Sequence, residues 1–226
     1  MVGFEAQRLT MVERQIRPNQ VSDPRLLALM RRLPRERFVP PAVRALSYMD
    51  ESLEVFPSVD GAAARYLLSP MVQARLIQLA EIGARDKVLD VGCVTGYSSA
   101  VLAGLAASVV GVEPESELAG AAKASLEELG IANVRIVSAP LAAGHPEAAP
   151  YDVILLNGSV PDVPDSLIEQ LGEGGRLVAV ITRAANIRQG KAYLFVKVGG
   201  KASGQAHFDA GAPRLPGFEA APVFTF

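Results

Sequence analysis

One cysteine in 226 residues, Cys93, leaves nothing from which to build an internal disulfide framework. Histidine is almost as scarce. His145 and His207 stand far from Cys93 and from each other in sequence, so no cluster has metal-ligand spacing. Charge of one sign is missing too: 22 basic against 24 acidic residues give a net charge of −2, with none of the basic footprint that nucleic acid demands. No stretch approaches the ~18 apolar residues of a membrane span. Met1 to Thr10 mixes Glu5, Gln7 and Arg8 with apolar residues and lacks the apolar run of a signal peptide. Repeats and low-complexity tracts are absent. The expectation is a cytoplasmic, metal-free chain with no nucleic-acid or membrane partner.

What is present is a hydrophobic content of 50%, enough for a full core. The first 50 residues read as short amphipathic helices broken by prolines. Met11, Val12 and Ile16 share a face that should end before Pro18, and Ser22-Asp23-Pro24 opens a second helix that stops at Pro34. Arg31, Arg32, Arg35 and Arg37 read as a solvated face or as partners of Glu36 and Asp50. Residues 51–68 carry no sustained period and are expected as an irregular loop. Ser69-Pro70 caps the next helix. Short β-branched strands then alternate with helices: 87–91, 108–112, 134–137, 152–156 (ending at Asn157-Gly158) and 176–181. Residues 193–198 and the apolar run 223–226 are expected to form a terminal pair of strands. This order implies an α/β fold with a doubly wound, mainly parallel sheet.

The sequence Lys87-Val88-Leu89-Asp90-Val91-Gly92-Cys93-Val94-Thr95-Gly96-Tyr97 is a strand running into a glycine turn and a helix. Such turns present backbone N–H groups to anionic or nucleotide ligands. Glu113 closes the following strand 21 positions after Gly92, the spacing at which a carboxylate accepts from both ribose hydroxyls of a nucleoside. The third glycine of a dinucleotide fingerprint is lacking, which disfavours a nicotinamide cofactor.

Val-Leu-Asp-Val-Gly-x-x-x-Gly-Tyr resembles motif I of the class I methyltransferases. Met11-Val12-Glu13-Arg14-Gln15, the helix from Asp23, Arg35-Glu36-Arg37-Phe38-Val39-Pro40, Ala149-Pro150-Tyr151-Asp152 and Leu171-Gly172-Glu173-Gly174-Gly175-Arg176-Leu177 extend the likeness, in order, to the protein-L-isoaspartate O-methyltransferase family. The resemblance implies a Rossmann-like, seven-stranded sheet with an N-terminal helical extension: residues 1–70 as helical segment and substrate-side loop, 71–226 as the methyltransferase domain. It implies S-adenosylmethionine held by Asp90, Gly92, Cys93, Val94, Gly96 and Glu113, with Ala139 and Pro140 on the adenine side. It also implies methyl transfer to the α-carboxylate of isoaspartyl residues in damaged proteins, an in-line displacement dominated by positioning and charge placement.

The chain departs from the family pattern at three points. In the register of the family's Thr-Ile-Ser loop it has Tyr66-Leu67-Leu68, leaving Ser69, one position on, as the only nearby hydroxyl and the candidate catalytic residue. Val94 replaces the middle glycine of the turn, where a β-branched side chain is unfavourable if φ is positive and crowds a ligand on the backbone. Ala139 stands where the family has the acid that binds the adenine amino group. Two hypotheses follow: an S-adenosylmethionine-dependent O-methyltransferase, acting on isoaspartyl protein or on another carboxylate or hydroxyl acceptor, or a non-catalytic relative that keeps the fold as an interaction module and binds the cofactor weakly or not at all. Leu68 and Asn157 are the substrate-side candidates. Cys93, near a helix N-terminus, is a possible low-pKa thiol but is more simply a small residue that fits the turn. His145 is expected on the surface and His207 in a polar stretch without a chemical role.

Overall fold

The computed structural model describes residues 3–59, 61–182 and 189–218. α1 (Phe4–Met11) runs on through a π-helical turn (Val12–Ile16) and a 3-10 turn (Arg17–Asn19). The helical path therefore passes through Pro18 instead of ending before it, because the missing N–H is no loss where the winding has already left the α pattern. Met11, Val12 and Ile16 are fully buried. In α2 (Pro24–Arg32) the Asp23 carboxylate accepts from Arg25 N at 2.9 Å, with Pro24 in the first turn.

Residues 51–68 are not an irregular loop. They hold an antiparallel pair, β1 (Leu53–Phe56) and β2 (Arg65–Leu67), which forms a sheet of its own. Its inward positions are Leu53, Val55, Arg65 and Leu67, on strands too short for a period to show in the sequence. α3 (Pro70–Leu79) follows, with Ser69 as its cap.

The main sheet alternates with helices in the expected order: β3 (Lys87–Val91), α4 (Tyr97–Ala103), β4 (Ser108–Val112), α5 (Ser116–Glu128), β5 (Val134–Val137), β6 (Tyr151–Val160), α6 (Asp165–Glu169) and β7 (Leu171–Ile181). β8 (Gln189–Val198) and β9 (Lys201–Gly211) complete seven strands in the order β5-β4-β3-β6-β7-β8-β9. The first five pair in parallel and the last two antiparallel. The partner of β8 is thus the polar strand β9, not residues 223–226, which lie outside the described residues. α6 is a short helix of five residues, and β7 begins two positions after its end, at Leu171.

Alternate residues of the parallel strands feed two cores. Val88, Val109, Val153, Leu155, Val178 and Val180 pack under the larger helices. Leu89, Val91, Val112, Ile154, Leu156 and Leu177 face a second core completed by Leu167 of α6, by Leu141, and by Leu215 and Phe218 of the segment after β9. β3 has β4 on one side and β6 on the other, which makes it the switch point at whose carboxyl end a ligand cleft belongs.

Candidate functional site

At the end of β3 the chain turns through Gly92 (φ +78°), Val94 (φ +44°) and Gly96 (φ +92°), all left-handed. Val94 is therefore held in a conformation that a β-branched residue adopts only under constraint. Part of that constraint is its N–H, which donates to Glu113 Oε2 at 3.0 Å. Asp90 is fully buried beneath the turn, where its carboxylate accepts from Ser98 Oγ at 2.7 Å, Ser99 Oγ at 2.6 Å and the Asn157 side-chain amide. Burial pushes the Asp90 carboxyl up despite those three donors. Asp90 braces the turn from beneath. Cys93 also faces inward: its Sγ lies 3.0 Å from where a side chain on Gly111 of β4 would begin. Burial first, then Asp90 and Glu113, pushes its thiol well up, which excludes the low-pKa reading.

Glu113 closes β4 with no exposed surface. Its Oε2 also accepts from Arg65 Nη2 at 2.9 Å, a pair buried on both sides. Burial raises the Glu113 carboxyl while Arg65 and two backbone N–H groups pull it back. Sequence reasoning missed Arg65, which sits 48 positions upstream in a stretch without a period. The segment after β9 was missed as well. Leu215 N donates to Ser159 O at 2.9 Å and Ser159 N to Pro213 O at 2.8 Å, so this segment docks on the end of β6. A side chain built on Gly92 would begin 3.0 Å from Leu215 and 3.2 Å from Arg65 Nη2. On Gly158 it would begin 2.6 Å from Leu215. The two glycines that bare the backbone of β3 and β6 are thus both covered by one leucine. In this conformation the residues present do not accommodate a nucleoside cofactor, because the chain's own Arg65 and Leu215 fill the place beside Glu113 and Gly92.

On the substrate side, Ser69 Oγ accepts from Val72 N at 3.5 Å as the cap of α3, and Ser69 lines a cleft of about 400 Å³ with Asp50, Glu51, Ser52, Gly211, Ala212 and Pro213. Leu68 is buried, and its carbonyl accepts from Arg35 Nη2 at 2.6 Å. Arg35 is accordingly no surface residue. It is fully buried, bonded to the Leu68 and Ser47 carbonyls, with its guanidinium 4.9 Å from the Tyr97 ring centre. Asn157 lies within β6 and not at its end, spent on Asp90 below the turn. Ala139 is half-buried against the second core and Pro140 is exposed. His145 proves buried, its N–H donating to Gln170 Oε1 at 2.8 Å, because the loop carrying it folds back onto the end of α6. His207 lies on β9 with its side chain exposed. Among the described residues there is no group of three or more metal-ligating side chains and no helix long and apolar enough to cross a membrane.

A glycine turn at the switch point of a doubly wound sheet, with a carboxylate closing the next strand, defines an α/β protein with a nucleoside-type cleft. The family model for protein-L-isoaspartate(D-aspartate) O-methyltransferase matches residues 6–207. A protein-L-isoaspartate O-methyltransferase from Koribacter versatilis is 38% identical over 178 residues, 79% of this chain and 78% of that protein. One from Rhodopseudomonas palustris is 42% identical over 168 residues, 74% of each. A solved protein-L-isoaspartate O-methyltransferase superposes with a TM-score of 0.78 at 28% identity, over 94% of this chain and 66% of that one. A structure described as a Plasmodium falciparum β-aspartate methyltransferase in complex with S-adenosyl-L-homocysteine shares the fold, with a TM-score of 0.74 at 19% identity over 91% of this chain and 96% of that one. The chain belongs to the protein-L-isoaspartate O-methyltransferase family, whose members are S-adenosylmethionine-dependent methyltransferases.

Proposed function

We propose that the protein is an S-adenosylmethionine-dependent O-methyltransferase acting on the carboxylate of isoaspartyl residues in damaged proteins. The observation that carries this reading is the convergence of Gly92, Gly96 and Glu113 on one switch-point cleft within a chain that matches the family from residue 6 to residue 207. Gly92, Gly96 and Glu113 are the cofactor-side residues, with Ala139 and Pro140 flanking the adenine side. Leu68 and Ser69 border the acceptor side. Asp90 and Asn157 act beneath the turn, fixing its path by hydrogen bonds. The cofactor, when bound, supplies the electrophilic methyl group. What this chain contributes is the braced turn and, closing β4, the Glu113 carboxylate, which in this structure is paired with Arg65.

The test is transfer of labelled methyl from S-adenosylmethionine to an isoaspartyl peptide, with the aspartyl isomer as control. Incorporation into the isoaspartyl peptide alone is the expected result. A second reading, a relative that keeps the fold as an interaction module, is favoured by the strained Val94, by Ser69 being spent as a helix cap, and by Ala139 offering no carboxylate to an adenine. Absence of any heat with S-adenosylhomocysteine at millimolar concentration, from wild type and from a folded Leu215→Ala variant alike, decides for that second reading.

A further inference from the structure

The methyltransferase reading needs Glu113 and Gly92 free, and in this structure neither is. Glu113 has no exposed surface from which a ribose hydroxyl could reach it, and its Oε2 already accepts from Arg65 Nη2 and Val94 N. Leu215 lies on the backbone of both Gly92 and Gly158, 3.0 and 2.6 Å from where a side chain on each would begin. The contact is built and not loosely draped. Two backbone hydrogen bonds join Pro213 and Leu215 to Ser159, Arg214 Nη2 donates to Thr182 O at 3.1 Å, and Leu215 and Phe218 are buried in the second core.

Both intruding groups are nevertheless carried on pieces that can leave without opening the main sheet. Arg65 belongs to β2, whose only strand partner among the described residues is β1, and Leu215 follows β9. The closed arrangement also leaves Arg65 Nη1 buried without a hydrogen-bond partner among the described residues, a cost to holding Arg65 in the cleft.

We propose that Arg65 and residues 212–218 are an internal ligand of the nucleoside cleft, and that S-adenosylmethionine and S-adenosylhomocysteine bind only by displacing them. The inference rests on the methyltransferase reading of the cleft. It makes the Arg65–Glu113 pair and the Leu215 seat a gate: ligand affinity is lowered by the fraction of molecules closed, and binding releases the β1–β2 hairpin and the last described segment together.

The experiment is isothermal titration of the full chain with S-adenosylhomocysteine, comparing wild type with Leu215→Ala and with Arg65→Gln. Thermal melting establishes that each variant is folded. If more than nine molecules in ten are closed, either variant binds about tenfold or more tightly than wild type, because apparent affinity scales with the open fraction. Hydrogen exchange on the wild-type protein gives a readout that needs no variant: saturating ligand should abolish protection of the Leu215 and Ser159 amides. Equal affinities for wild type and variants, with Leu215 still protected in the complex, overturn displacement while leaving the methyltransferase reading intact. If folded wild type and folded variants alike fail to bind, both fall.

Discussion

Two adjacent strand ends carry two buried carboxylates that are held in opposite ways. At the end of β3, Asp90 sits among neutral donors only: two serine hydroxyls and one amide. At the end of β4, Glu113 faces a guanidinium brought by a different sheet. Both carboxyls are pushed up, desolvation being the largest cause for each. The difference lies in what would follow from movement. The donors of Asp90 come from α4 and β6, whose places the main sheet sets, so its network is part of the scaffold. The partner of Glu113 rides on a hairpin two short strands wide, so its network can be exchanged for a ligand.

The sharpest way to break this comparison is to remove one half of the charged pair. Arg65→Ala leaves Glu113 buried without a counter-charge, which costs about 3–5 kcal/mol, on the order of a 10 °C fall in Tm for a domain of this size. Arg65→Met combined with Glu113→Gln should recover most of that fall, because two desolvated charges go together. Thermal melts of the three proteins check it, and a double variant no more stable than Arg65→Ala would show that the loss is packing and not charge. Next in size is the neutral network. Ser99→Ala deletes one donor to a buried carboxylate, a loss of about 1.5–3 kcal/mol, read as a shift of the denaturant midpoint with unchanged slope.

The two networks also differ in how far they could be read from sequence. The turn from Gly92 to Gly96 and the carboxylate at Glu113 were legible because their relation is local: one crossover fixes both the spacing and the side of the sheet. Ser98 and Ser99 follow that motif directly, at the start of α4, but nothing in the sequence announced that their hydroxyls turn inward onto Asp90. Arg65 was not legible. It lies in a stretch where three alanines and a glycine mask two strands of four and three residues, and no periodicity announces a buried arginine. Arg35 was misplaced for the same reason: an arginine cluster reads as solvated unless one knows which carbonyls the loops bring to it. β9 was missed because it is an edge strand with one buried residue, Ala210, and so lacks the alternation that marks a half-buried strand.

A smaller effect distinguishes Asp90 by pH. Its folded pKa is raised above the ordinary carboxylate value, so between the unfolded and folded pKa the native state binds more protons than the unfolded one. The contribution is complete below the unfolded pKa and is lost as pH rises through the folded one. Asp90→Asn should therefore flatten the decline of Tm with rising pH relative to wild type, while retaining hydrogen bonds to the two serines. Parallel wild-type and variant profiles would mean that the Asp90 carboxyl titrates alike in the folded and unfolded chain, its three donors offsetting its burial.

The smallest expected change in stability is at Val94, in the turn between Asp90 and the helix that carries its serines. Val94 donates its N–H to Glu113 from a left-handed conformation, φ +44°, and its side chain is 2% exposed. Strain at such a position costs about 1–3 kcal/mol, while burying a valine side chain contributes about 1.5–3 kcal/mol. Val94→Gly removes both, so the two nearly cancel and Tm should move by only a few degrees in either direction. Affinity for S-adenosylhomocysteine is the discriminating measurement. If valine crowds the cleft, the glycine variant binds more tightly, and combining it with Leu215→Ala gives more than either alone, since one change widens the site and the other empties it. If the glycine variant matches wild type while Leu215→Ala tightens binding, the side chain at 94 is a strained packing element of the turn, and the barrier to the cofactor lies wholly in the internal ligand.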